Sequence, residues 1–162
     1  MATKLNLTVL ISSVFFLSIN TFAVEKPVSQ KEIKDAIEKG ANFLYQNQNA
    51  TGWWSDSKLP ALTGLALVAL EMADATKLDA KYESERRRAY DYLTSLVKPD
   101  GSIHDGRLIN YNTACSLMAL SMANEPRYRP LIEKARAYIA ASQIDLGEKG
   151  KLDDANDGGV GY

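Results

Sequence analysis

The sequence predicts an all-α protein built from a repeated helical hairpin. Three observations point there. Apolar residues recur at three- and four-residue steps in some segments; a nearly unbroken apolar segment follows each of the first two of these after a glycine-containing turn; and the pair recurs after roughly fifty residues, the range of stacked two-helix repeats.

The first residues stand apart from that pattern. Lys4 precedes a largely apolar run from Leu7 to Ile19, which ends in Asn20, Thr21 and Ala23. This is the layout of a secretory signal peptide over residues 1–23, cut ahead of Val24, and the run is shorter than the about 20 apolar residues a membrane span wants. No cysteine follows the cut to carry a lipid anchor, and no later segment is long and charge-free enough to span a bilayer. The expectation is an exported protein, periplasmic or secreted, with residues 24–162 forming the repeat domain.

That domain opens after Pro27, where Ser29 and Glu32 fit a capping box. Ile33, Ala36, Ile37, Ala41 and Leu44 then mark an amphipathic outer helix near 29–48. A turn, NATGWWSDSKLP, leads past Pro60 into an inner helix near 61–73, apolar without a break from Leu65 to Leu70 and so expected to be buried on all sides. The pair recurs as an outer helix near 82–97, with Arg86, Arg87 and Arg88 read as its solvated start, a turn from Lys98 to Gly106, and an inner helix near 113–123. A third outer helix near 130–143 begins another unit, which makes about two and a half repeats. Alignment places Phe43 and Leu44 over Tyr92 and Leu93, Gly52 over Gly101 and Asp56 over Asp105, and ALTGLALVALEMA over YNTACSLMALSMA. Inner helices need neighbours on both sides and such arrays usually need three or more units, so the expected partner is a remaining part of the array or a second copy.

At the first turn the residues become specific. Lys39, Gly40, Phe43, Leu44, Gln48, Gly52 and Trp54 fit the QW repeat signature: basic, Gly, two residues, aromatic, Leu, three residues, Gln, three residues, Gly, any residue, Trp. The chain therefore resembles the squalene-hopene cyclase and prenyltransferase repeat family, within the terpenoid cyclase and protein prenyltransferase α/α-toroid superfamily. The second copy keeps Arg88, Tyr92, Leu93 and Gly101 but has Val97 for Gln and Ile103 for Trp; the third keeps Lys134, Tyr138, Ile139 and Gln143. The resemblance implies a partial α/α-toroid, inner helices within a ring of outer ones around an apolar cavity. A physical role for the signature follows: Gln48 would bond the orphan carbonyls at its helix end, and Trp54 would lie against that end and lock adjacent hairpins together. Tyr45 and Trp53 are read as packing in the same way.

The chemistry that family performs is not matched by residues here. The acid motif of the cyclases, DxDD, has only Lys151, Leu152, Asp153 and Asp154 near it, and the zinc ligands of the transferases have no counterpart in His104 and Cys115. Cys115, the only thiol, is read as buried and inert. Asp153, Asp154 and Asp157 resemble part of a calcium loop but place Ala155 at a ligand position, so a solvated loop is expected. The GGVGY run lacks the lysine and preceding strand of a phosphate loop; in the resembled family such a run precedes an inner helix. No cofactor and no metal is expected, and with 19 basic against 20 acidic residues and no basic stripe, no nucleic acid. Asn49, Ala50 and Thr51 spell a glycosylation sequon, meaningful only in a eukaryotic secretory pathway.

If the chain touches a ligand, the place is the end of the inner helices that borders the cavity mouth: His104 and Asp105 in the second turn, then Tyr111, Asn112 and Thr113, just ahead of the second inner helix. His104 with Asp105 could be a base and its orienting partner, though a polar turn is the plainer account. The first functional expectation is a noncatalytic binding or scaffold protein whose ligand is an apolar small molecule or a protein. The alternative is the N-terminal part of an isoprenoid cyclase or transferase with its catalytic motif further on; a weaker third is a polysaccharide-acting toroid enzyme.

Overall fold

The computed structural model describes residues 27–73 and 76–161, so the expected leader at 1–23 lies outside the described residues. The helices are α1 (Gln30–Gln46), α2 (Pro60–Met72), α3 (Thr76–Ser95), α4 (Ile109–Met122) and, after a 3-10 turn at Pro126–Tyr128, α5 (Arg129–Ala141). No strand forms among the described residues; isolated antiparallel bridges pair Val97 with Ile103 and Gln143 with Val160. The protein is all-helical, and none of its described helices is long and apolar enough to cross a membrane.

The α1 start follows the capping chemistry: the Ser29 amide donates to Glu32 Oε2 at 2.8 Å and the Glu32 amide to Ser29 Oγ at 3.2 Å, satisfying two donors of the open first turn. Among the described residues only its second half is covered. Ala41 and Tyr45 are buried, with the Tyr45 ring stacked on Tyr82 of α3 at 4.3 Å, whereas Ile33 and Ile37 stay exposed.

Two helix starts differ from the sequence expectation. α3 begins before Tyr82, where it bends (φ −117°, ψ 22°), so the predicted boundary is a kink within one helix. Its arginines are therefore interior to the helix, and two of them are engaged: Arg86 pairs with Glu71 and Arg88 with Gln48 and Glu85, leaving Arg87 exposed. α4 begins at Ile109 and not at Thr113, because Leu108 turns the chain at φ 43° and the Asn112 amide already bonds the Leu108 carbonyl at 2.9 Å.

α2 and α4 lie against each other, α3 packs on α2 and on α1, and α5 packs on α4. Gly64 permits the α2–α4 approach: a Cβ there would lie 2.7 Å from the Cys115 carbonyl oxygen. Leu67, Leu93, Ile103 and Leu120 fill the core with no exposed surface, each contributing about 1.5–3 kcal/mol by burial. The described residues do not bury α2 and α4 all round, contrary to the expectation from their composition. Leu65 and Met72 of α2 and Tyr111 and Met118 of α4 are exposed, Met72 at 72%, since neighbours cover only the faces toward each other and toward α3 and α5.

The turns repeat one geometry. The Asn49 amide bonds the Trp53 carbonyl (2.9 Å), that of Lys98 the Ser102 carbonyl (2.8 Å) and that of Ile144 the Gly159 carbonyl (2.7 Å). Each closes a loop in which a glycine of positive φ follows, Gly52 (102°), Gly101 (93°) and Gly158 (79°). In the first two turns that glycine abuts a following helix, α3 for Gly52 and α5 for Gly101. A Cβ on Gly52 would lie 2.2 Å from the Arg88 carbonyl oxygen, and one on Gly101 2.5 Å from that of Lys134. The helix after each turn is tied to it in the same way, one residue further along in the second: the Trp54 amide donates to Thr63 Oγ1 at 3.1 Å and the Ile103 amide to Thr113 Oγ1 at 2.9 Å.

Candidate functional site

The signature residues act at the joints between hairpins, with a division of labour that differs from the expected one. Trp54 Nε1, and not Gln48, bonds a last-turn carbonyl of α1, donating to Leu44 O at 2.7 Å alongside the Asn47 amide at 3.1 Å. Gln48 reaches outward instead: its Nε2 donates to Glu85 O of α3 at 2.8 Å and to Gly52 O at 3.0 Å, and its Oε1 accepts from Arg88 at 3.3 Å. Lys39, Gly40 and Phe43 lie on the side of α1 that no described residue covers, Phe43 being 64% exposed.

The residues expected to border a cavity divide into some that hold the fold and some that face outward. Asn112 is fully buried; its Oδ1 accepts the Ala61 amide at 3.0 Å and its Nδ2 donates to Arg107 O at 2.7 Å. It thus caps α2 from a neighbouring helix, replacing the missing cap at Leu59, which has no side-chain acceptor to offer. Thr113 is equally buried, taking the Ile103 amide and donating to Ile109 O at 2.7 Å. The earlier start of α4 places Asn112 at the end of its first turn and Thr113 at the beginning of its second, within the helix and not ahead of it at a rim.

His104 Nδ1 accepts the Gly106 amide at 2.8 Å, so that nitrogen serves its own turn and does not meet the exposed Asp105 carboxylate. Burial, reinforced by the charges of Asp105 and Asp56, pushes the Tyr92 phenol up to about 12. Its hydroxyl donates to Ser57 O at 2.7 Å, and Asp56 pairs with Arg107 at 3.3 Å, so this end of the molecule is cross-linked between its first and second turns. Tyr111 faces outward on α4. Sequence reasoning missed Leu108, a bulky residue held in the left-handed region between Arg107 and α4, a conformation that costs on the order of 1–2 kcal/mol. No local pattern announces it, since its partner Asn112 is itself set by packing.

Two further polar groups are internal. Tyr90 donates to Glu71 Oε1 at 2.8 Å beside Arg86, and burial, with the Glu71 charge, drives its phenol far above the usual range. The Cys115 thiol is likewise pushed up, by burial.

The expanded third turn, 145–157, is organised by carboxylates directed at backbone. Asp157 accepts the amides of Leu146 (2.7 Å), Asp154 (2.8 Å) and Asp153 (3.0 Å); Asp153 accepts that of Glu148 (2.9 Å), and Asp154 that of Asn156 (2.8 Å). Among the described residues no group of three or more His, Cys, Asp or Glu side chains gathers around a common point. A surface concavity of about 520 Å³ runs between this loop and the end of α5, lined by Ala140, Gln143, Leu152 and Gly158 among others. Comparison of the chain with protein-family models, with curated proteins and with solved structures finds no match.

Proposed function

We propose that the chain is an exported α/α-toroid repeat protein of the squalene cyclase and prenyltransferase type that binds an apolar small molecule without transforming it. The observation that carries this reading is the pair of uncovered apolar stripes on its inner helices, Leu65, Ala69 and Met72 on α2 and Tyr111, Ala114 and Met118 on α4. In a ring of hairpins the inner helices border the central cavity, and an apolar lining of that kind suits an apolar ligand. The toroid itself is supported by the turn geometry, which repeats from the first joint to the second in register with the signature residues.

A binding role is favoured over catalysis by the use made of the polar groups. The aspartates of the third turn hold backbone amides, His104 Nδ1 holds Gly106, and Asn112 and Thr113 hold helix starts. The test is fluorescence titration with 1-anilinonaphthalene-8-sulfonate, with circular dichroism to verify the fold. Saturable binding that Met118→Glu weakens several-fold without loss of helix supports the reading. Equal binding by the variant, or none by the parent, refutes it.

A further inference from the structure

We infer that α1 of one copy docks on the third turn of another, so that the chain associates head to tail through the contact that already joins its own hairpins. Each internal joint has two halves. One is a turn presenting a positive-φ glycine; the other is the next outer helix, whose backbone meets that glycine at Arg88 or Lys134 and whose following residue, Ala89 or Ala135, is fully buried.

Both halves occur once more in the chain, each vacant among the described residues. Gly158 repeats the glycine in the same loop closure, yet nothing lies within 4 Å of where its Cβ would be. Val160, in the place of buried Trp54 and Ile103, is 41% exposed. On α1, Lys39 stands where Arg88 and Lys134 stand, and Gly40, in the place of the buried alanines, also has nothing within 4 Å. Phe43 is exposed where its counterpart Tyr92 reaches the preceding turn at Ser57.

The third turn also restores the glutamine that the second lacks. Gln143 is exposed beside the concavity along α5, whereas Gln48 crosses its joint to Glu85 O. Carried to the vacant joint, Gln143 meets the carbonyl of Ala36, the residue that matches Glu85 in register. The described residues therefore display a complementary pair of surfaces, and a second copy carries a partner for each. Such a contact is heterologous: it closes into a ring or grows into an open chain, as its rotation dictates. The inference rests on the joint geometry and not on the ligand reading, so dye binding and association can fail separately.

The test is sedimentation velocity of the full chain, expressed from Met1 and recovered as its host processes it, over a wide concentration range. Two variants each remove one surface. Gly158→Asn keeps the positive φ, which asparagine tolerates, but places a Cβ in the joint; Phe43→Glu changes a side chain that is already exposed. The parent is expected to form dimers and larger species, and each variant to weaken association by about 30-fold or more. An equimolar mixture of the two folded variants retains one intact pair of surfaces and is expected to stop at the dimer. A parent that stays monomeric throughout, as it would if the joint were filled from within the same chain, overturns the inference. So does association that neither variant reduces, or a mixture that stays monomeric.

Discussion

Replacing Asn112 with alanine separates a structural role from a ligand-contacting one. The side chain makes two hydrogen bonds of unequal weight. Its Oδ1 is the acceptor for the amide of Ala61, a fully buried residue in the first turn of α2, and its Nδ2 donates to the carbonyl of exposed Arg107. Water can replace the second bond but not the first. An orphaned buried amide costs about 1–3 kcal/mol, and the void left by the deleted amide group adds about 1 kcal/mol. The expected loss is thus about 3 kcal/mol, which at a typical slope of about 2 kcal/mol per molar moves the urea midpoint down by about 1.5 M. Asn112→Asp keeps the acceptor at the positive end of α2 but loses the donor, and should fall between the alanine variant and the parent. Equilibrium unfolding followed by circular dichroism measures both. A midpoint unmoved by the alanine change, together with weakened dye binding, would refute the capping argument and return Asn112 to the ligand.

Gly101→Ala should destabilise by more than about 2 kcal/mol, because φ is 93° and the new Cβ would meet the Lys134 carbonyl; Gly106→Ala, with φ 88° in open space, should cost only about 1 kcal/mol in the same unfolding assay. Asp157 gives a pH dependence: the Leu146 amide, then that of Asp154, hold its carboxyl below the ordinary value of 3.8. Its folded pKa is depressed, so its hold on the loop is complete above about pH 4 and is lost as pH falls through the lower folded value. Amide exchange at Leu146, Asp153 and Asp154 should therefore stay slow down to about pH 4, and Asp157→Asn should accelerate it at neutral pH; loss of protection already at pH 5 would contradict the assignment.

The helices were legible where spacing and caps speak for themselves. Ser29 and Glu32 mark the α1 start, and Pro60 that of α2, because these signals act within a few residues. The alignment of Gly52 with Gly101 likewise anticipates their shared turn, since positive φ favours glycine wherever it recurs. The third such glycine was hidden. Asp157, Gly158, Gly159 and Val160 resemble Asp100, Gly101, Ser102 and Ile103, but the residues inserted before Asp157 move them out of register, and only the bonds that close the turn at Ile144 bring Gly158 back. The candidate site was less legible still. Asn112 and Thr113 are polar residues at a helix start, a pattern shared by ligand contacts and by caps offered to a neighbouring element; which applies is decided by α2 and by the second turn, reached through the fold. The uncovered faces of α2 and α4 escaped a composition argument for a related reason: apolar residues all round a helix describe what it could bury, while its neighbours decide what it does bury.

The central claim is that one joint is built twice, each time by a turn glycine pressed on the backbone of the next outer helix. Nuclear Overhauser contacts from the Gly52 and Gly101 α-protons in an isotope-labelled sample test it directly. The account predicts strong contacts from Gly52 to Arg88 and Ala89, and matching ones from Gly101 to Lys134 and Ala135. Contacts at the first joint with none at the second would contradict it.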